Sequence, residues 1–294
     1  MARIAFLGTP ALAVTTLKGL VDAGHDLAIV ITRPDAKRGR GGALSPSPVK
    51  QWALDHGLVV SHDLGDLDGL DIDLGVVVAY GALLPGSLVD AIPMLNIHFS
   101  ELPRWRGAAP VERAILAGDE DIGVCIMRIV EELDAGAVYA RASVSSGEKS
   151  LQQLWNELSE LGTELLCELL KSGDLNQMET HEQVGEISYA KKVTAEDLHL
   201  DFETSSEQLL RQIRLGKAWS RAGGERVVIH QARRGDVHDL APGYLAGTTV
   251  GTRDGSLVLL EVQPAGKRAM DARDWRRGSG ASIDRFDPIT PMGF

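Results

Sequence analysis

Cysteine is nearly absent: two occur in 294 residues, Cys125 and Cys167. Neither belongs to a CxxC pair nor stands at metal-ligand spacing from a histidine, which excludes a disulfide framework and a structural zinc site. Two buried thiols in a reducing compartment are the expectation, and no metal is expected. Long uncharged apolar runs are missing too, so no membrane span is predicted. A secretory leader pattern is lacking, since residues 3–7 already read as strand, and a cytoplasmic location is expected. The first strand is followed by Gly8-Thr9-Pro10 rather than by GxGxxG, so no nicotinamide dinucleotide site is predicted. Internal repeats and low-complexity tracts are absent. Basic residues are in deficit: 30 Lys and Arg against 41 Asp and Glu leave a formal charge of -11, which disfavours indiscriminate binding to nucleic acid but leaves local basic patches free to act.

What is present is an ordinary globular composition, 44% hydrophobic and 24% charged, in a chain longer than most single domains. Two domains are therefore expected. A strand at 3–7, an amphipathic segment at 11–23 and a strand at 27–31 open the chain as a β-α-β unit. A helix at 51–56 and apolar strands at 74–79 and 95–99 continue the alternation, which predicts a parallel sheet covered by helices on both faces. Leu151, Leu154, Leu158, Leu161, Leu165 and Leu169 form a stripe that predicts a long core-packing helix over 150–170. Residues 171–186 lose periodicity and read as a connector. After a helical stretch at 206–214 come short β-like runs at 227–229, 248–250, 257–260 and Val262, separated by Gly and Asp, as in a small β barrel or sandwich.

The ends of parallel strands are where open α/β sheets hold ligands. Asn96 and His98 are two positions apart at such an end and share a face if the segment is extended. The remaining histidines, His25, His56, His62, His181, His199, His230 and His238, stand in polar or turn-like surroundings and are expected to be solvated. A carboxylate able to orient His98 follows at Asp134, in Leu133-Asp134-Ala135-Gly136, although in isolation that aspartate also reads as a turn residue.

The order Asn96-x-His98, Ser100-x-Leu102-Pro103-Arg104-Trp105-Arg106-Gly107-Ala108-Ala109-Pro110, Leu133-Asp134-x-Gly136 resembles the folate-dependent formyltransferases. Further motifs support the resemblance across most of the chain: Gly8-Thr9-Pro10, Pro34-Asp35, Gly39-Arg40-Gly41, residues 46–50, 77–81 and 263–270. The resemblance implies an α/β, Rossmann-like catalytic domain over 1–185, a linker over 186–203 and an OB-like β-barrel over 204–294 that contacts tRNA. It implies transfer of a formyl group from 10-formyltetrahydrofolate to the α-amino group of methionine on initiator methionyl-tRNA, by a monomer. It assigns catalysis to Asn96, His98 and Asp134, and folate contacts to Ser100, Glu101, Leu102, Pro103, Ala82 and Leu83. Contact with tRNA falls to Arg40, Lys37 and Arg38 in a basic glycine-rich loop. Asp134 either raises the basicity of His98 or carries a proton through an ordered water. An acceptor on an amino sugar nucleotide is the alternative within the same chemistry, and a folate- or tRNA-binding protein without turnover is the alternative outside it.

Three departures from the family pattern stand out. Glu101 replaces the leucine usual after Ser100, and faces either solvent or the folate's glutamate tail. Extra charge in the basic loop lies before the Gly-Arg-Gly, at Lys37 and Arg38, rather than after it. Residues 215–219 lack the prolines that commonly precede Trp219, while Arg221, Arg226, Arg233 and Arg234 make that region locally basic. Arg104 and Arg106 around Trp105 read equally as a nucleic-acid patch and as a solvated loop.

Overall fold

Continuous apolar runs form strands that are covered on both faces, and β1 (Arg3–Gly8) is buried from Ile4 onward. In the computed structural model, which describes residues 2–38, 42–171, 178–278 and 281–289, helix α1 (Ala11–Asp22) returns the chain to β2 (Asp26–Ile31), parallel to β1. The hairpin β3 (Ala36–Arg38) and β4 (Ala43–Ser45) leads to helix α2 (Pro48–Asp55) and to the short β5 (Val60–Ser61), which pairs with β2. Helix α2 begins three residues before the expected 51, because Ser47 accepts the Lys50 N–H and Pro48 is pre-set for a first helical turn.

The chain then crosses to the other side of β1 with β6 (Leu74–Val78), and after α3 (Gly86–Ala91) adds β7 (Met94–His98) beside it, both parallel. This reversal opens a crevice at the carboxyl ends of β1 and β6, where such sheets bind ligands. Gly8, Val78 and His98 end their strands there. The Thr9 hydroxyl ties two of these ends together by donating to the Tyr80 carbonyl at 2.8 Å.

Next come β8 (Arg106–Gly107), α4 (Pro110–Ala117), β9 (Asp121–Arg128), β10 (Val138–Ser145), α5 (Leu151–Lys171) and β11 (Tyr189–Ala190). The main sheet has the order β10-β9-β7-β6-β1-β2-β5. Its last two strands depart from the expected parallel arrangement: β9 runs antiparallel to β7, and β10 antiparallel to β9. Antiparallel neighbours need no helical crossover, so β9 and β10 are joined directly by the loop that carries Asp134.

Helix α5 packs through a face rotated from the leucine stripe. Leu154, Leu158 and Leu166 are buried, but Ser159, Gly162 and Thr163 occupy the remaining buried positions. A Cβ on Gly162 would meet Ile97 at 2.8 Å and Val124 at 2.9 Å, so glycine lets the helix backbone sit directly on β7 and β9. Thr163 donates to the Ser159 carbonyl at 2.7 Å, which leaves Thr16 to donate to the Thr163 hydroxyl at 2.9 Å. Cys125 is buried as expected, whereas Cys167 is only half-buried. No described helix is long and apolar enough to cross a membrane.

The chain divides into two compact units. The first comprises Met1–Val111, Asp121–Ser145 and Leu154–Lys191, and the second Glu112–Glu120, Ser146–Gln153 and Lys192–Phe294. In the second, α6 (Ser206–Arg214) precedes β12 (Trp219–Ala222), β13 (Glu225–Gly235), β14 (Leu245–Ala246), β15 (Thr249–Thr252), β16 (Gly255–Pro264), β17 (Met270–Asp271) and α7 (Ala272–Arg277). These six strands form one antiparallel sheet in which β13 is much longer than the run expected at 227–229. Register shifts in β13 at Ile229 to Ala232 increase its twist and wrap the sheet over a core containing Trp275, Phe286, Leu209 and Ile229.

Candidate active site

Strand β7 divides its side chains by the alternation of extended backbone. Leu95 and Ile97 are buried, with Ile97 against α5, while Asn96 and His98 stand on the other face opposite Met127 and Cys125 of β9. His98 is 5% exposed. Its Nε2 lies 3.0 Å from the Trp105 carbonyl oxygen, an obligate acceptor, so Nε2 carries a proton. Nδ1 then faces Asp134, 3.7 Å from Oδ2. That separation is too long for a direct hydrogen bond and is suited to a bridging polar atom. The Asn96 side-chain amide has no hydrogen-bond partner among the described residues, which leaves it available to a ligand.

Asp134 is held from two directions. The Gly107 N–H donates to Oδ2 at 2.8 Å, and Gln183 Nε2 donates to the Asp134 carbonyl at 2.8 Å. Its φ is 48°, in the left-handed region that a non-glycine residue occupies only under constraint. Two glycines make the arrangement sterically possible. A Cβ on Gly136 would lie 1.9 Å from the Arg128 carbonyl oxygen, and Gly107 has φ 119° with the Ala190 carbonyl 3.0 Å from where its Cβ would be.

Arg106 is 5% exposed, which corrects its reading as a basic nucleic-acid contact or solvated loop residue. Its Nε and Nη2 donate to Gln183 Oε1 at 3.0 and 2.7 Å, and its Nη1 to Glu132 Oε1 at 2.9 Å. Arg104 is exposed and lies over the Trp105 ring, 4.7 Å from its centroid.

The residues expected to contact folate separate into two groups. Ser100, Leu102 and Pro103 are buried: Ser100 donates to the Arg104 carbonyl at 2.6 Å, and Leu102 packs with Cys125, Met127 and Val138. Burial pushes the Cys125 thiol above its ordinary range, and Cys125 Sγ lies 3.0 Å from the Ser100 carbonyl. Glu101, Ala82 and Leu83 are exposed, and Glu101 lies over Gly123, where a Cβ would meet its Cγ at 2.1 Å. Leu83, at 86% exposure, projects from a loop that starts with left-handed Ala79 and Gly81. Tyr80 beneath it is buried, and burial raises its phenol's pKa against the opposing effect of Arg33.

In the basic loop Lys37 is exposed, Arg38 ends β3, and Arg40 lies outside the described residues. At the base of the loop Lys50 donates to Asp35 at 2.7 Å and lies 3.3 Å from His62 Nε2. His62 Nδ1 is 2.9 Å from the Thr32 carbonyl, so this histidine is engaged rather than simply solvated. His199, also expected to be solvated, is half-buried and stacks on Trp219 with ring centroids 4.1 Å apart, and burial lowers its pKa. His25 has a buried Nδ1 without a partner among the described residues. Nothing in the local sequence singles out Gln183 or Ser188: each is an isolated polar residue in an aperiodic segment, with partners dozens of positions away.

Residues 2–170 match the family model described as formyl transferase, and residues 192–280 match the one described as formyl transferase, C-terminal domain. The chain belongs to the formyl transferase family. A relative from Symbiobacterium thermophilum, named methionyl-tRNA formyltransferase, is 39% identical over 98% of this chain and 96% of its own. One of the same name from Thermus thermophilus is 40% identical over 95% and 97%. Among solved structures, HypX from Aquifex aeolicus with tetrahydrofolic acid has a TM-score of 0.69 at 19% identity, covering all of this chain and 50% of that one. The sugar 3N-formyl transferase WlaRD has a TM-score of 0.69 at 16% identity, with 91% and 99% covered. These two distant likenesses show the formyltransferase fold.

Proposed function

We propose that this formyltransferase moves a formyl group from 10-formyltetrahydrofolate to the α-amino group of methionine on initiator methionyl-tRNA, as a monomer in the cytoplasm. The observation that carries the reading is the His98–Asp134 pair, 3.7 Å apart beside the unpartnered Asn96 amide at the end of β7. The acceptor is inferred from the relatives near 40% identity, whose name specifies methionyl-tRNA. Sugar formyltransferases share the fold at much lower identity.

The residues present fit a folate. Leu83, Leu133 and Val130 are exposed apolar side chains on the loops that follow β6 and β9, suited to covering a flat heteroaromatic ring. Asn96 supplies an amide to a carbonyl oxygen. The bound donor supplies an activated formyl carbon.

Asn96 donates to the oxygen on which negative charge grows, a contribution of about 3 to 4 kcal/mol for one such donor in a water-excluded site. His98 Nδ1, facing Asp134, would accept the proton that leaves the attacking amine as the new C–N bond forms, Asp134 would balance the imidazolium charge, and the proton would pass to the folate nitrogen whose bond to the formyl carbon breaks. Trp105 keeps the imidazole oriented through Nε2. For tRNA, we assign Lys37, Arg38 and Arg40 to the acceptor arm and the exposed Arg226, Arg233 and Arg234 of β13 to phosphates.

Mass spectrometry of methionyl-tRNA incubated with 10-formyltetrahydrofolate tests the reading. The intact chain is expected to give formylmethionine, while Asp134→Asn and His98→Ala give at least about 100-fold less. Equal product from all three would remove the assigned chemistry. Product on an amino sugar nucleotide with none on methionyl-tRNA would overturn the acceptor.

A further inference from the structure

The segment between the two family-matched regions, read from sequence as a connector, carries a half-buried amide with every hydrogen-bonding position filled. Gln183 Oε1 accepts from Arg106 Nε at 3.0 Å and Nη2 at 2.7 Å. Its Nε2 donates to the Asp134 carbonyl at 2.8 Å and the Gly136 carbonyl at 2.9 Å. The partners dictate the amide's orientation, because a guanidinium only donates and a carbonyl only accepts. A glutamate fits the first pair and opposes the second.

We propose that Gln183 is a positioning residue for formyl transfer, clamping the Asp134 loop onto Arg106 so that the carboxylate faces His98. The inference rests on the reading of Asp134 as part of the catalytic machinery. Its physical basis is the strained φ of 48° at Asp134, a conformation that persists only when its surroundings enforce it. The Gly107 N–H grips the carboxylate, but only Gln183 among the described side chains grips the backbone at Asp134 and Gly136 together.

The clamp is anchored along its length. The strand bridge between His181 and Val138 precedes it. After it, the Trp105 N–H donates to Ser188 Oγ at 2.9 Å, and β11 pairs with β8 through Tyr189↔Arg106 and Ala190↔Gly107. The strand that positions Gly107 and the amide that positions the Asp134 backbone thus belong to one strap. Gln183 lies outside residues 2–170 and 192–280, so it falls between the two matched regions.

A double-mutant cycle on the full chain tests the proposal, using Gln183→Glu, Asp134→Asn and the pair, with kcat and KM measured for both substrates. Displacement of Asp134 by about 1 Å is expected to lower kcat about 100-fold, while KM changes less than about threefold. In the Asp134→Asn background the same substitution is expected to cost less than about threefold, because the group it positions is already disabled. An equal loss in both backgrounds, or no loss in the intact chain while Asp134→Asn is slow, would overturn the role of Gln183 alone. An Asp134→Asn variant at full rate would instead overturn the catalytic reading and the inference with it. Should Gln183→Glu fail to fold by thermal melting, the near-isosteric Gln183→Met enters the same cycle with the same expectations.

Discussion

In the first unit, buried Arg106 spends its fork on two side chains, Gln183 and Glu132, on segments 77 and 26 residues away. In the second, Arg214 grips the Lys149 carbonyl at 2.7 Å and Ser146 Oγ at 2.8 Å, and Arg113 makes a two-pronged pair with Asp197 at 2.9 Å on each arm. Both units use guanidinium forks to fasten distant pieces of chain. They differ in what is fastened. Arg106 secures the left-handed loop that bears Asp134, the carboxylate proposed for the chemistry, whereas Arg214 and Arg113 belong to the unit whose apolar core is built on Trp275 and Phe286. If the proposed site is right, small displacements in the first unit are expected to be felt in turnover and those in the second in stability.

The contrast is broken most directly at Trp275. Trp275→Ala is expected to cost about 3 to 5 kcal/mol of stability, read by denaturant melts, while kcat of the remaining folded enzyme stays at the wild-type value. A comparable fall in kcat at temperatures well below the melt would show that the units do not divide the work this way.

Gly136→Ala sharpens the other side. A methyl group 1.9 Å from the Arg128 carbonyl forces the Asp134 loop to move. A kcat loss of about 100-fold is expected, with a stability loss of only about 1 to 3 kcal/mol. Wild-type turnover in a folded variant would mean that the loop tolerates displacement.

The smallest effect separates two carboxylates of the second unit by the sign of their pH dependence. Burial pushes the Glu112 carboxyl above its ordinary 4.5, so the unfolded chain ionises first and ionisation opposes folding once the pH exceeds about that value. Glu112→Gln should therefore raise the melting temperature at pH 7 and leave it unchanged well below pH 4.5. The hydrogen bond from Arg113 holds Asp197 below its ordinary 3.8, so its stabilising contribution is complete above that pH and is lost as the pH falls through the folded value. Asp197→Asn should lower the melting temperature at pH 7 and cease to do so in strong acid. The same sign for both variants at pH 7 would contradict these environments.

Much of this was legible because it is local. Asn96 and His98 share a face by the period-2 geometry of a strand, and the apolar runs at β1, β2, β6 and β7 needed no distant partner to be recognised. The buried face of α5 differs from the leucine stripe for a reason of packing: close approach of helix and sheet favours Gly162, Thr163 and Ser159 over further leucines. The direction of β9 was not legible, since its buried run reads alike in parallel and antiparallel pairing.

By itself, then, the sequence determined the alternating α/β order, the change to β structure punctuated by Gly and Asp, and the polar pair on β7, all governed by spacing along the chain. The motif Leu133-Asp134-x-Gly136 pointed to Asp134, but only the tertiary structure decided why the motif has that form: Gly136 must pass against the Arg128 carbonyl. Only it placed Arg106 in the interior, Glu101 over Gly123 and Gln183 beneath Asp134. Hydrogen bonds such as these are short in space and long in sequence, and no local propensity or periodicity encodes a partner 49 residues away.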